Sequence, residues 1–430
     1  MDKKNEIFKK IEESEQEMIE TLCEVIRIPS LNLAIAGPLA DNYRGEETKC
    51  CRYFEDKMKK LDMMTDLWEE ESGRGNVVGI LKGTGGGKSL MFNGHIDVVD
   101  PGDENLWQVS EAFEPKVTDG KIYGRGAADM KGGDVAAYYA VKAIAESGIR
   151  LKGDVLLEYV SGEEMMEHDI GTSSAVRRGY VADGAVVVEP TAPPKPLCIA
   201  PACCNVGYLV IQIKGKATHA CLRGAMTRAG GQGEDLGVSA IDKAHIIYEG
   251  LRRLDDRWGW CKNHYMYDPG HFNIHPGVVS GGACGAFAVA DSCTMEYSIW
   301  APPQEKEADI KAEIEKAVLD ICQSDEWLRN NPPVMFWPAF WPSYDTPVDA
   351  DICKAAGRAF EEATKTTPFF HGFVGSNDAS WLAEGNIPVI TMGPGNLMNA
   401  HCPDEYVDID ELVSAAKTYA ALIIDWCGEA

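Results

Sequence analysis

Positive charge is scarce in this chain. Against 67 aspartates and glutamates stand 41 lysines and arginines, a formal net charge of −26. Such an excess disfavours phosphate backbones and anionic lipid surfaces, so neither a nucleic acid nor a membrane is expected as a partner. Long apolar runs are missing as well. No stretch approaches the roughly 20 apolar residues of a membrane span. The opening Met1-Asp2-Lys3-Lys4-Asn5-Glu6-Ile7-Phe8-Lys9-Lys10 has no apolar segment of signal-peptide length. The 14 cysteines are scattered and form no Cys-x-x-Cys pair. Most are expected to be reduced, buried and small, the neighbours Cys50-Cys51 and Cys203-Cys204 included. Together these absences point to a cytoplasmic enzyme.

Glycine is plentiful, but two glycine-rich stretches fail as nucleotide loops. Residues 83–89 resemble a phosphate loop, yet the required leading glycine is Lys82 and a strand, not a helix, follows. Gly124-Arg125-Gly126-Ala127-Ala128 resembles a dinucleotide fingerprint whose last glycine is Asp129. Both are expected to be tight turns.

A chain of 430 residues, 45% hydrophobic and 25% charged, is globular in composition and too long for one core. Residues 2–28 have a helical period, with Ile7, Ile11, Met18, Ile19, Leu22 and Ile26 on one side, stopped by Pro29-Ser30. A second helix is expected over 46–61 and an alanine-rich one over 131–147. Strands are expected at 76–81, 89–92, 155–160 and 184–188. Strands alternating with helices imply an α/β fold with a mixed, mostly parallel sheet and helices on both faces. The pattern then changes: a strand over 206–215, a helix over 238–254, strands near 271–279 and 286–300, and a helix over 305–322. After residue 326 the first pattern resumes, with a helix at 350–364, a strand at 388–392 and a helix at 411–427. The expectation is a discontinuous catalytic domain, 1–205 and 326–430, interrupted by a smaller α+β domain, 206–325.

The chemistry gathers at strand ends. Val155 to Val160 runs into Ser161-Gly162-Glu163-Glu164, where two adjacent carboxylates repel unless a cation or water intervenes. Met91-Phe92-Asn93-Gly94-His95-Ile96-Asp97 sets His95 and Asp97 on one face. A metal-binding imidazole needs its second nitrogen fixed, usually by a carboxylate. Alone, the pair could equally be a loop histidine beside a surface aspartate. Asp129 precedes the alanine-rich helix, where it could bridge two cations or only cap the helix. Glu189 ends Val186-Val187-Val188, and His401 follows a buried strand. In open α/β sheets ligands bind outside the carboxyl ends of the strands.

Gly94-His95-Ile96-Asp97-Val98-Val99, Gly124 to Gly132, Gly162-Glu163-Glu164, Glu189-Pro190-Thr191, and Gly393-Pro394-Gly395 with Ala400-His401 and Asp404-Glu405-Tyr406 occur in order across nearly the whole chain. In these motifs the chain resembles the M20-type metallopeptidase and amidohydrolase family, in its acetylornithine deacetylase and succinyl-diaminopimelate desuccinylase group. The resemblance implies two divalent cations, zinc foremost, with cobalt or manganese as alternatives. It implies that Asp129 bridges them, with His95 and Glu189 completing one site and Glu164 and His401 the other. Asp97 would orient His95, and Glu163 would be the general base. Gly215-Lys216-Ala217-Thr218-His219-Ala220 matches the motif of a histidine that meets the tetrahedral oxyanion, often from a partner subunit. His219 is therefore the third catalytic candidate. A homodimer through the inserted lid domain is implied too.

The resemblance also has departures. Desuccinylases typically carry Asn-x-x-Pro and, further along a strand, an arginine that binds a substrate carboxylate. Phe287, Ala290 and Trp300 stand at those three positions. That favours a less charged or heterocyclic N-acyl substrate, as in the formylaminopyrimidine deformylases, which the chain also resembles in Trp327-Leu328-Arg329-Asn330-Asn331-Pro332-Pro333. Alternatively Phe287 and Trp300 only pack the inserted domain's core, and Arg223 or Arg228 restores the positive charge. The leading expectation is an acetylornithine-deacetylase-like amidohydrolase acting on a small N-acyl amine or N-acyl amino acid. The alternatives are a dipeptidase or aminopeptidase with the same machinery, the deformylase, and a non-catalytic relative that binds metal or ligand.

Overall fold

The computed structural model describes residues 3–282 and 285–430. The expected start of the first helix at Asp2, and Ala283 and Cys284 of the loop before Phe287, lie outside them. The chain divides into two compact units, Met1–Cys203 with Tyr344–Ala430, and Cys204–Ser343.

The first unit is built on a six-stranded sheet. Its order is Met64–Glu71, Arg74–Leu81, Val155–Val160, Leu90–His95, Ala185–Ala192, Val389–Asn396. The last four run parallel, and the first two add an antiparallel edge. Every residue of Val155–Val160 and Leu90–His95 is buried, as a sheet covered on both faces requires. Side chains alternate between those faces. Phe92 meets Tyr419 of the helix Ile409–Cys427 at 5.0 Å between ring centres. Its neighbour Asn93 turns the other way, to Thr172 at the start of the helix Thr172–Arg177. The alanine-rich helix Lys131–Ser147 is almost wholly buried, which small side chains permit. Lys131 reaches from it to donate to the carbonyls of Val25 and Ile28, 2.9 Å each, holding the end of the N-terminal helical segment. That segment is two helices, Lys3–Glu13 and Glu15–Ile26, separated at Ser14, whose backbone (φ −92°, ψ 2°) leaves the helical region.

The second unit is a four-stranded antiparallel sheet in the order Asn273–Gly281, Ser292–Ala301, Asn205–Lys214, Val334–Trp341. One face carries Leu209, Ile211, Met295, Tyr297 and Ile299 against Ile247, Leu251 and Trp258 of the helix Ala240–Cys261 and Ile310 and Ile314 of Glu307–Cys322. Ser239 caps the first of these helices, accepting from the Asp242 N–H at 3.2 Å. The unit extends past the expected limit at 325. Val334–Trp341 pairs with Asn205–Lys214, so the chain stays in this sheet to Ser343. Pro338, with a register shift between Phe336 and Ala339, obscures the strand in the sequence.

A buried ion pair braces the first unit. The Arg74 guanidinium, 1% exposed, donates to Glu47 at 3.0 Å and to Glu167 at 2.7 Å. Glu47 is itself fully buried, so removing Arg74 leaves its charge without a partner. Arg74→Met is expected to destabilise the protein by about 3 kcal/mol, a large part of the margin of a typical domain. Urea unfolding checks this, and a midpoint equal to that of the unsubstituted protein refutes it.

Candidate active site

Six of the eight candidate residues converge at the carboxyl ends of the parallel strands. His95 is the last residue of Leu90–His95, and its ring is 1% exposed. Its Nε2 lies 3.1 Å from Asp129 Oδ1, 3.4 Å from Glu189 Oε1 and 3.8 Å from Glu163 Oε2. His401 Nε2 lies 3.4 Å from Asp129 Oδ2 and 3.0 Å from Glu164 Oε2. The two oxygens of one carboxylate thus face two different imidazoles. Asp129 does not cap the helix behind it. Met130 occupies the cap position, and no side chain bonds there.

Asp97 joins the cluster from below. His95 Nδ1 sits 2.9 Å from the Asp97 main-chain oxygen, while the Asp97 carboxylate is 3.7 Å away. The carbonyl therefore orients the ring, with Nδ1–H as donor. The carboxylate has another task. It accepts from Asn32 Nδ2 (2.8 Å), from the Gly162 N–H (2.9 Å) and from the Glu164 N–H (3.2 Å). It thereby holds the turn that presents the paired glutamates. Gly162 opens that turn at φ 101°, in the left-handed region that glycine occupies without steric cost. Gly94 is needed for a different reason. A Cβ there would lie 2.0 Å from Asp134 Oδ1, so a side chain would force the buried Asp134 carboxylate to move.

The electrostatics of the cluster call for a cation. Four carboxylates surround two imidazoles, and no lysine or arginine among the described residues pairs with them. Burial, with Asp129 adding to it, pushes Glu189 up to about 8 and Glu164 up to about 7. Burial likewise drives Glu163 well above the carboxylate range. His401 is pushed up to about 11 by its bonds to Asp129 and Glu164. Glu164 Oε1 is buried with no hydrogen-bond partner. His95, Asp129 and Glu164 form one set of ligand atoms within 4.8 Å of each other, and His95, Glu163 and Glu189 another. Nitrogen and carboxylate donors without thiolate suit a hard or borderline divalent metal, so the residues present fit one.

Several supporting residues were not singled out from the sequence. Asn93 donates to Glu158 and to Thr172, 2.9 Å each, and Thr172 donates to Asp378 at 2.7 Å. Burial pushes Glu158 up to about 8 and Asp378 up to about 6. A polar residue inside the apolar runs around Asn93 and Glu158 is the signal that marks them. Glu405 was part of a matched motif without a role. It is 1% exposed and bonds to Arg125 and to the loop of Asp129.

His219 belongs to the second unit. Its ring is exposed, and Nδ1 accepts the Cys221 N–H at 3.2 Å. That bond sets the tautomer, leaving Nε2–H as a donor. It lines a shallow cavity of about 440 Å³ with Ala217, Thr218, Gly285, Phe287 and Ala288. Phe287 is 82% exposed, so it does not pack the core of this unit. Trp300 is half-buried and donates to Ser298 at 3.2 Å. Arg223 is paired with Asp242 at 2.8 Å.

Comparison with known proteins agrees with this architecture. The sequence profile of peptidase family M20/M25/M40 matches residues 91–425. The N-formyl-4-amino-5-aminomethyl-2-methylpyrimidine deformylase of Bacillus subtilis is 33% identical, over 97% of this chain and 96% of its own length. A probable succinyl-diaminopimelate desuccinylase of Staphylococcus epidermidis is 25% identical, over 94% and 96% respectively. The solved structure of the dipeptidase Dug1p of Saccharomyces cerevisiae superposes with a TM-score of 0.73 at 15% identity, covering 99% of both chains.

Proposed function

The chain belongs to peptidase family M20/M25/M40, and from that premise we propose that it is a two-metal amidohydrolase that removes a formyl group from a heterocyclic amine. The observation that carries the two-metal part is Asp129, with one carboxylate oxygen toward His95 and the other toward His401. His95 and Glu189 would hold one cation with Asp129, and Glu164 and His401 the other. Zinc suits this donor set, with cobalt or manganese as alternatives. Two bound cations would acidify a water and polarise the scissile carbonyl.

The remaining steps fall to the chain's own groups. Glu163 takes the water proton on its carboxylate and returns it to the leaving nitrogen. The Asp97 carbonyl keeps His95 turned toward Asp129, and its carboxylate steadies Glu163 and Glu164. His219, in its own or a partner subunit, donates from Nε2–H to the oxyanion of the tetrahedral intermediate. A cytoplasmic homodimer joined through the second unit accompanies this reading.

A deformylase fits this chain better than an acetylornithine deacetylase. The relatives named above are a deformylase and a probable desuccinylase. An aromatic Phe287 at the position of the desuccinylases' asparagine suits a flat heteroaromatic substrate better than a succinate. The test is a hydrolysis screen of formyl-, acetyl- and succinyl-amines and dipeptides, with zinc, cobalt or manganese added. The formylated aminomethylpyrimidine is expected to be cleaved fastest. A chelator is expected to abolish cleavage, and added metal to restore it. Preferred cleavage of dipeptides or succinyl amines would sink the substrate assignment, and full activity in excess chelator would sink the two-metal one.

A further inference from the structure

We infer that Glu405 is a positioning residue that ties the loop of His401 to the loop of Asp129, so that the metal held by Glu164 and His401 binds tightly only while this clasp is closed. The inference rests on the two-metal reading above.

The five proposed ligands differ in what supports them. His95 ends one central strand and Glu189 lies within the next, Ala185–Ala192, so the sheet itself fixes both. Glu164 stands in a single turn, Glu163–Met165. His401 stands in a loop, with its side chain 54% exposed and its backbone in the left-handed region at φ 60°. Asp129 lies in the connection between Tyr123 and the helix Lys131–Ser147. Loop residues need an anchor if their donor atoms are to hold a fixed geometry, and neither Asp129 nor His401 obtains one from a ladder.

Glu405 supplies it. One carboxylate oxygen accepts two consecutive main-chain donors, the Ala128 N–H at 2.9 Å and the Asp129 N–H at 3.1 Å. Those bonds fix the peptide plane entering Asp129, and with it the direction of the bridging carboxylate. The other oxygen takes Arg125 Nη1 at 2.5 Å. Arg125 in turn donates to the Cys402 carbonyl at 3.4 Å and the Asp100 carbonyl at 3.3 Å. The Gly124 N–H closes the set on the Glu405 carbonyl at 2.9 Å. The segment 402–405, which follows His401 directly, is thus laced to 124–129. Glu405 and Arg125 are both 1% exposed, so water cannot substitute for either partner. Residues that orient metal ligands in this way typically set affinity by about 10–100-fold.

The full-length chain carrying Glu405→Gln tests this. Zinc is titrated into the metal-free protein, and cobalt absorption reports the geometry of the sites. The expected result is a second equivalent bound about 10–100-fold more weakly, a first equivalent weakened less because the sheet still fixes His95 and Glu189, and the larger change in the cobalt spectrum on the second. Glu405→Asp retains the charge opposite Arg125 with a carboxylate one methylene shorter. It is expected to fold and to show the same selective weakening. Two equivalents bound with unchanged affinity in either variant overturn the inference. So does equal weakening of both equivalents, which would mean a general structural role. If the unsubstituted protein itself binds fewer than two equivalents, the two-metal reading fails first and takes the inference with it.

Discussion

Glu163→Gln is expected to lower turnover by about 10²–10⁴-fold while both metals remain bound. Glutamine preserves the size and one acceptor oxygen of the side chain but cannot take up a proton. Burial already drives the Glu163 carboxyl well above its ordinary range, with His95 opposing that shift. The same residue, however, lies within ligand distance of the set formed by His95 and Glu189. Elemental analysis beside the rate measurement separates the two roles. A slow enzyme with two metals supports the base. A slow enzyme that has lost one metal makes Glu163 a ligand, and a fast enzyme removes it from the chemistry altogether.

Asp129→Ala is expected to be more damaging. It removes a donor from both proposed sites at once and leaves His95, Glu189, Glu164 and His401 as two incomplete pairs. Metal content should fall below one equivalent after gel filtration, and activity should be undetectable with any of the three metals. Because Asp129 faces both His95 and His401, its truncation takes a donor from each proposed site. Retention of two equivalents would show that the bridging role is wrong. Circular dichroism must show that the fold survives, which is expected because the Ala128 and Asp129 main-chain donors to Glu405 are untouched.

What the sequence disclosed was whatever is local. The alanine-rich helix over 131–147 has the observed limits, because good helix formers run on from Val135 until Gly148 ends them at φ 76°. His95, Glu163, Glu164, Glu189 and His401 were legible because each sits in a short motif after an apolar run, and Asp129 through the glycine-rich motif ahead of the alanine-rich helix. Two strands of the two larger sheets were hidden. Met64–Glu71 is an edge strand, mostly accessible and rich in acids, so it lacks the apolar signature of its neighbours. Val334–Trp341 contains a proline, and missing it set the second domain boundary too early. The braces were invisible for another reason. Arg74 with Glu167, Thr172 with Asp378 and Asp129 with Glu405 are each joined across long stretches of chain. No periodicity encodes such pairs. Their only trace is a charged or polar residue embedded among apolar ones.

The discontinuity of the first unit bears on how the protein is made. The buried strand Ala185–Ala192 has Leu90–His95 on one side and Val389–Asn396 on the other, and the second partner is encoded roughly two hundred residues later. At ordinary ribosomal speeds that interval lasts on the order of 10–40 s. Throughout it the nascent chain carries an open apolar strand edge, the kind of surface that recruits other chains. Chaperone dependence during synthesis, and insolubility of any product terminated before residue 389, are the expected outcomes of the order in which the sheet is encoded, to be read from the soluble fraction of truncated chains.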